Sequence, residues 1–103
     1  MSEIFDNGYR AGEASNYKDK MSPFDASQLK DEYMVGYCLA RAENQGAGGP
    51  MFYYSLGLHA GFYGLPKNDV QKNYDPSQDY DEGFYSGYED GQDERDDWFK
   101  ANE

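Results

Sequence analysis

Cysteine, histidine and positive charge are scarce in this sequence, and each shortage removes a class of function. One cysteine, Cys38, rules out an intramolecular disulfide and fits a reducing compartment. With one histidine, His59, beside it, the several short-spaced Cys and His ligands of a zinc site are missing, and a metal site is not expected. Lys and Arg number 9 against 20 Asp and Glu, a formal charge of −11. Such a surface repels nucleic acid and anionic membrane and attracts basic protein surfaces. Direct nucleic-acid binding by phosphate neutralisation is therefore not expected. No stretch approaches the roughly 18 apolar residues of a membrane span. No basic segment leads into an apolar run, so no secretory signal and a cytoplasmic location are expected.

Catalytic motifs are missing too. There is no Gly-x-Ser-x-Gly elbow. Gly46-Ala47-Gly48-Gly49 lacks the Lys-Ser/Thr of a phosphate loop. Glu89-Asp90-Gly91-Gln92-Asp93 is a weak imitation of a calcium loop and lies within a helical pattern. The expectation is a protein that is not an enzyme and holds no cofactor or metal.

What the chain does have is aromatic side chains and glycine. Apolar residues make up only 38%, but 17% are aromatic, with 11 Tyr and 6 Phe, so rings can build a core that aliphatics alone would not. The length favours one compact domain.

The pattern along the chain is helical throughout. Ser2 can cap a first helix reaching roughly Tyr17, with Ile4, Phe5, Gly8, Tyr9, Ala11 and Gly12 on one side. Glycine inside a helix costs about 1 kcal/mol relative to alanine. Two of them one turn apart call for a second backbone passing closely over them. Ser22-Pro23-Phe24-Asp25 is a start signal, with Ser22 as N-cap, Pro23 at N1 and Asp25 at N3. It opens a second helix to about Glu43, with Leu29, Tyr33, Gly36, Tyr37 and Ala40 on its buried side. Gln45 to Pro50 holds three Gly and a Pro and reads as a linker. A third helix follows Pro50 and stops at Pro66. A polar loop covers Lys67 to Tyr74, Asp75-Pro76-Ser77-Gln78 is a second capping signal, and a fourth helix runs to about Phe99. Of the neighbouring rings Phe52-Tyr53-Tyr54, Phe62-Tyr63 and Phe84-Tyr85, at most one of each set is expected to face the core squarely.

Gly57-Leu58-His59-Ala60-Gly61 echoes Gly8-Tyr9-Arg10-Ala11-Gly12, and Phe84-Tyr85-Ser86-Gly87-Tyr88 echoes Tyr33-Met34-Val35-Gly36-Tyr37. Helix, loop, Pro cap and helix recur in the same order. The expected fold is all-α: four helices forming two tandem, pseudo-repeated hairpins packed through Gly, Ala and aromatic residues. Residues 1–44 form the first hairpin, 45–50 the linker and 51–103 the second.

Gly8-Tyr9-Arg10-Ala11-Gly12, Pro23-Phe24 and the stretch from Tyr33 to Ala40 together resemble ribosome modulation factor, a short bacterial family of two helices. The second half looks like a looser copy. The resemblance implies the helical hairpin. It also implies association with ribosomes, which that family inactivates by binding ribosomal RNA. That family is basic, whereas this chain is acidic.

The charge is polarised. Residues 1–50 carry 8 acidic and 5 basic side chains, net −3, and residues 51–103 carry 12 and 4, net −8. The candidate partner-binding residues are Asp79, Asp81, Glu82, Glu89, Asp90, Asp93, Glu94, Asp96 and Asp97. Successive helical turns rise about 5.4 Å, on the scale of phosphate spacing along a nucleic-acid strand. The row can imitate DNA or RNA toward a basic groove, or it can be a solvated face. The leading expectation is a non-enzymatic inhibitor from a phage or mobile element, acting in the host cytoplasm. It would block the basic surface of a nucleic-acid-binding defence protein, in the anti-CRISPR or anti-restriction manner. The alternatives are a ribosome-associated regulator of the ribosome modulation factor type and a homodimeric assembly module using exposed rings.

Overall fold

Ser2 begins the first helix: its hydroxyl accepts the Phe5 N–H at 3.1 Å, while Glu3 and Asp6 occupy the positive end of the helix dipole. In the computed structural model, which describes residues 2–15, 21–45, 49–73 and 81–103, this helix is α1, Glu3–Ala14. It is followed by α2 (Pro23–Ser27), α3 (Asp31–Gln45), α4 (Gly49–Phe62), α5 (Lys67–Gln71) and α6 (Asp81–Ala101). The fold is all-α, with no strand among the described residues.

Among the described residues six helices stand where four were expected in the chain. Ser22 does cap, accepting the Asp25 N–H at 3.1 Å, and Pro23 is at the helix start. The helix it opens ends after one turn. The N–H groups of Gln28 and Leu29 bond back only three residues, to Asp25 and Ala26, and the Ser27 hydroxyl donates to the Phe24 carbonyl at 2.6 Å. Those tight bonds close the turn, and α3 restarts with the Met34 N–H on the Lys30 carbonyl. Leu29 falls in the break and is exposed, against the expectation of a buried position. Likewise α5 occupies part of the expected polar loop, because Val70 is wholly buried and pins that turn to the core. The first helix stops at Ala14, before Tyr17, and the third begins at Gly49, before Pro50. The Asp75-Pro76 capping signal and residues 46–48 of the expected linker lie outside the described residues, while Gln45 ends α3 and Gly49 and Pro50 begin α4.

The end of α4 is set by Gly64 at φ +68°. Leu65 N–H reaches the Ala60 carbonyl at 2.9 Å and Gly64 N–H the Gly61 carbonyl at 3.1 Å, a Schellman turn. Tyr63, beside that turn, swings its ring between Phe62 (5.1 Å) and Tyr37 (6.0 Å), and its hydroxyl donates to the Met21 carbonyl at 2.9 Å. Phe62 and Tyr63 are both buried for this reason, against the expectation of one core ring per set.

The helices pack in two pairs, α1 on α3 and α4 on α6, joined where α3 meets α4. Within each pair the backbones touch. A Cβ added to Gly36 would lie 2.4 Å from the Phe5 carbonyl oxygen, and one on Gly87 would lie 2.1 Å from that of Tyr54. α3, which joins its pair to the other through α4, is buried without interruption from Met34 to Ala42. One apolar cluster holds Phe5, Tyr37, Leu56, Phe84 and their neighbours, drawn from both pairs. Arg41 is inside too: its guanidinium donates to the Ser15 hydroxyl at 2.8 Å and to the Tyr37 hydroxyl at 3.5 Å.

These contacts set opposing terms for Gly87→Ala. Helix propensity alone would gain about 1 kcal/mol. Overpacking a rigid site costs about 1–3 kcal/mol, and a backbone oxygen cannot rotate away. The net effect of the two terms is destabilisation of up to about 2 kcal/mol, with Tm lowered by as much as several degrees in thermal melts followed by circular dichroism. A rise in Tm would show that the helices are not in backbone contact there.

Candidate partner-binding surface

α6 presents two opposite faces. Phe84, Gly87, Tyr88 and Gly91 are buried against α4 and its neighbours. Of the nine carboxylates expected to meet a partner, Glu82, Glu89, Asp90, Asp93, Glu94, Asp96 and Asp97 are exposed. At 3.6 residues per turn their directions centre opposite the buried set. Asp79 lies outside the described residues, and only the backbone of Asp81 is described. From Glu82 to Asp97 the exposed row spans about 22 Å of helix. Its members are strung along the helix, not converged: among the described residues no three acidic, His or Cys side chains are grouped to hold a metal ion.

Arg95, one of two basic residues on this helix, is drawn off the acidic face. Its guanidinium carbon sits 5.0 Å from the Phe99 ring centre, and its side chain lies against Gly64, where a Cβ would meet Nε at 3.0 Å. The acidic row is thus less opposed than the sequence charge implies.

Two tyrosines clasp the helix pairs to carboxylates. Tyr54 donates to Asp90 at 2.5 Å, tying α4 to α6 at the edge of the acidic row. Tyr9 donates to Glu43, tying α1 to α3. The bond to Glu43, helped by burial and the carboxylate's charge, pushes the Tyr9 phenol up to about 12, and the bond to Asp90 raises Tyr54 in the same direction.

A second concave surface lies elsewhere. Ser2, Phe5, Glu32 and Val35 line a cleft of about 270 Å³ with Asp69, Lys72 and Asn73 of the α5 region. An adjoining cleft of about 350 Å³ is lined by Asp6, Tyr9, Leu39, Glu43 and Phe52, and shares Phe5 and Asn73 with the first. Sequence reasoning missed this surface. The available signal was the acid, apolar, apolar, acid series Glu32, Val35, Leu39, Glu43, at steps of three and four along α3.

Among the described residues no helix is long and apolar enough to cross a membrane. No known protein family, characterised protein or solved structure matches the chain.

The Tyr9 clasp yields a pH prediction. A phenol whose folded pKa is raised from 10 to about 12 contributes stability that is fully present below pH 10 and is lost as pH rises through 12. The stability gap between the native chain and Tyr9→Phe, measured by urea unfolding, is therefore expected to be constant up to pH 9 and to shrink from pH 10 to 12. A gap unchanged across that window would mean that the hydroxyl does not hold Glu43 in solution.

Proposed function

We propose that the chain is a non-enzymatic acidic binding protein whose α6 face covers a basic, nucleic-acid-binding surface of another protein. The observation that carries this reading is the row of seven exposed carboxylates opposite the buried side of α6. Like charges one turn apart weaken a helix by a few tenths of a kcal/mol each. Here they are kept on the longest helix while its Arg95 is turned away. An inhibitor from a phage or mobile element, acting in the cytoplasm on a host defence protein, fits a small chain whose main surface feature is negative charge. On this reading the surface works by occlusion and steering and requires no chemistry of its own.

We further propose that the two helix pairs are divergent copies of one hairpin, together forming one domain. Support comes from matching contacts. Gly36 abuts the carbonyl of Phe5 and the amide of Tyr9; Gly87 abuts the carbonyl of Tyr54 and the amide of Leu58. Gly8 meets the Tyr33 carbonyl as Gly57 meets that of Phe84. The same positions carry the resemblance to ribosome modulation factor, and they favour a second reading, a ribosome-associated regulator docking on a basic ribosomal protein.

The test is affinity capture with the tagged chain from cells of its host. The comparison is a variant carrying Glu89→Gln, Asp90→Asn, Asp93→Asn, Glu94→Gln, Asp96→Asn and Asp97→Asn. A nucleic-acid-binding protein is expected to be retained at low salt. It should be released when salt approaches 1 M, where the Debye length falls to about 3 Å, or when duplex DNA is added as competitor. The variant should fold as well as the parent and capture nothing. Capture undiminished by neutralisation would remove the electrostatic reading, and ribosomal proteins in the eluate would select the second one.

A further inference from the structure

The two clefts beside α3 adjoin at Phe5 and Asn73 and together make a groove with an apolar floor and an acidic rim, and no described residue of α6 is among its lining. Val35 and Leu39 from α3, Phe5 from α1 and Phe52 from α4 supply the floor. Glu32 stands at one end of the α3 stripe and Glu43 at the other. Eleven residues of helix separate them, about 16 Å. Asp6 and Asp69 add two more carboxylates, and Lys72 is the only basic side chain among the described lining residues.

We propose that this groove binds a basic amphipathic peptide segment of a protein partner. Its length matches about three turns of helix, the scale on which an amphipathic helix lays its apolar face into a hydrophobic groove. Charge complementarity selects the occupant. Phe5, Val35 and Leu39 are largely buried and Phe52 partly so, so two apolar side chains about one turn apart would lie over the narrow apolar strip these residues leave between the rim carboxylates. Lys or Arg about 16 Å apart would meet Glu32 and Glu43. Each of these glutamates accepts one intramolecular bond, from the Ser2 and Tyr9 hydroxyls, and each keeps a second carboxylate oxygen for a partner. Those bonds also fix the side chains in place, which lowers the entropy lost on binding. An acidic segment would be repelled at both ends of the groove. A wholly apolar one would leave the rim carboxylates facing it without counter-charge.

This surface is separate from the α6 face, so its test is independent of the reading given above. The isotope-labelled full chain is titrated with a synthetic peptide of about 15 residues, which carries two leucines one turn apart on one face and lysines toward both ends. The expected result is saturable shifts of the Val35, Leu39 and Phe52 amides. Combining Asp6→Asn, Glu32→Gln, Glu43→Gln and Asp69→Asn should weaken binding at least about tenfold. Phe52→Ala, which trims the floor without changing the rim charge, should also weaken it. The variant neutralised on α6 should bind the peptide as the parent does. Shifts that map to α6 would overturn the proposal, as would equal binding of a scrambled peptide with the leucines on opposite faces. Absence of saturation would do the same. Concentration-dependent shifts at the groove without peptide would assign it to a second copy of this chain instead.

Discussion

Backbone contact between helices is the constraint on which the rest of this molecule depends. In α1–α3 and α4–α6 a glycine on each helix sits against a carbonyl oxygen of the other at distances no Cβ would tolerate. Each such glycine costs about 1 kcal/mol in helix propensity. The return is geometric. When two helices touch at their glycines, the large side chains flanking the seam are pushed to either side and can cover it. Phe84, wholly buried beside the Gly57 contact, and Tyr88, beside Gly61, do this in the second pair. A buried aromatic removes about 150–250 Å² from water, worth several kcal/mol at about 25 cal/mol/Å². A chain with few aliphatics thus reaches a continuous core through rings set beside glycine seams. The tyrosine hydroxyls are accommodated by carbonyls near helix ends, Leu65 for Tyr88 and Met21 for Tyr63.

The same packing decides where charge can go. α3 is covered from Met34 to Ala42, and that stretch includes Arg41, which is held by Ser15 and Tyr37. Arg95 is spent against Gly64 and Phe99. Arg41 and Arg95 are thus both turned to internal contacts, and Lys67 lies over the Tyr85 and Tyr88 rings. The carboxylates on α6 and around the α3 groove face outward with less opposition than a net charge of −11 conveys. The tyrosine clasps act at the boundary. They hold Glu43 and Asp90 at fixed positions without neutralising them, so order is imposed on the acidic surface at little cost to its field.

Much of this architecture was legible because its signals are local or periodic. The Ser2 and Ser22 caps and the glycines one turn apart follow from short-range chemistry, and the glycine contacts occur where a close crossing was expected. The sequence was less informative where tertiary packing overrides a local pattern. Pro23 to Glu43 reads as one helix, and only the tight bonds at Gln28 and Leu29 break it. Lys67 to Gln71 is polar except for Val70, and one buried side chain suffices to fold it. Arg41 carries no sequence signal of burial and lies inside, held by Ser15 and Tyr37. The acidic row was visible as composition, and its exposure follows from helical period. The groove was invisible because its walls come from α1, α3, α4 and α5, whose adjacency is a property of the fold.

The two outward surfaces differ in what they can supply. A row of solvated carboxylates acts at range. It raises the rate of encounter with a basic surface and is weakened by salt, but by itself it gives little discrimination among basic partners. A concave apolar floor acts only at contact. It removes water from specific side chains and so governs how long a complex lasts. Placing carboxylates around such a floor, as Glu32 and Glu43 are placed around Val35 and Leu39, couples the two effects in one site. On the proposed docking, the charge there would fix the register of the segment and the apolar contacts would retain it. On α6 the face opposite the carboxylates packs on α4, and the apolar surface left outside is the exposed rings of Tyr85 and Phe99 and not a concave floor. Selectivity in the chain is therefore expected from the α3 groove, and electrostatic reach from α6.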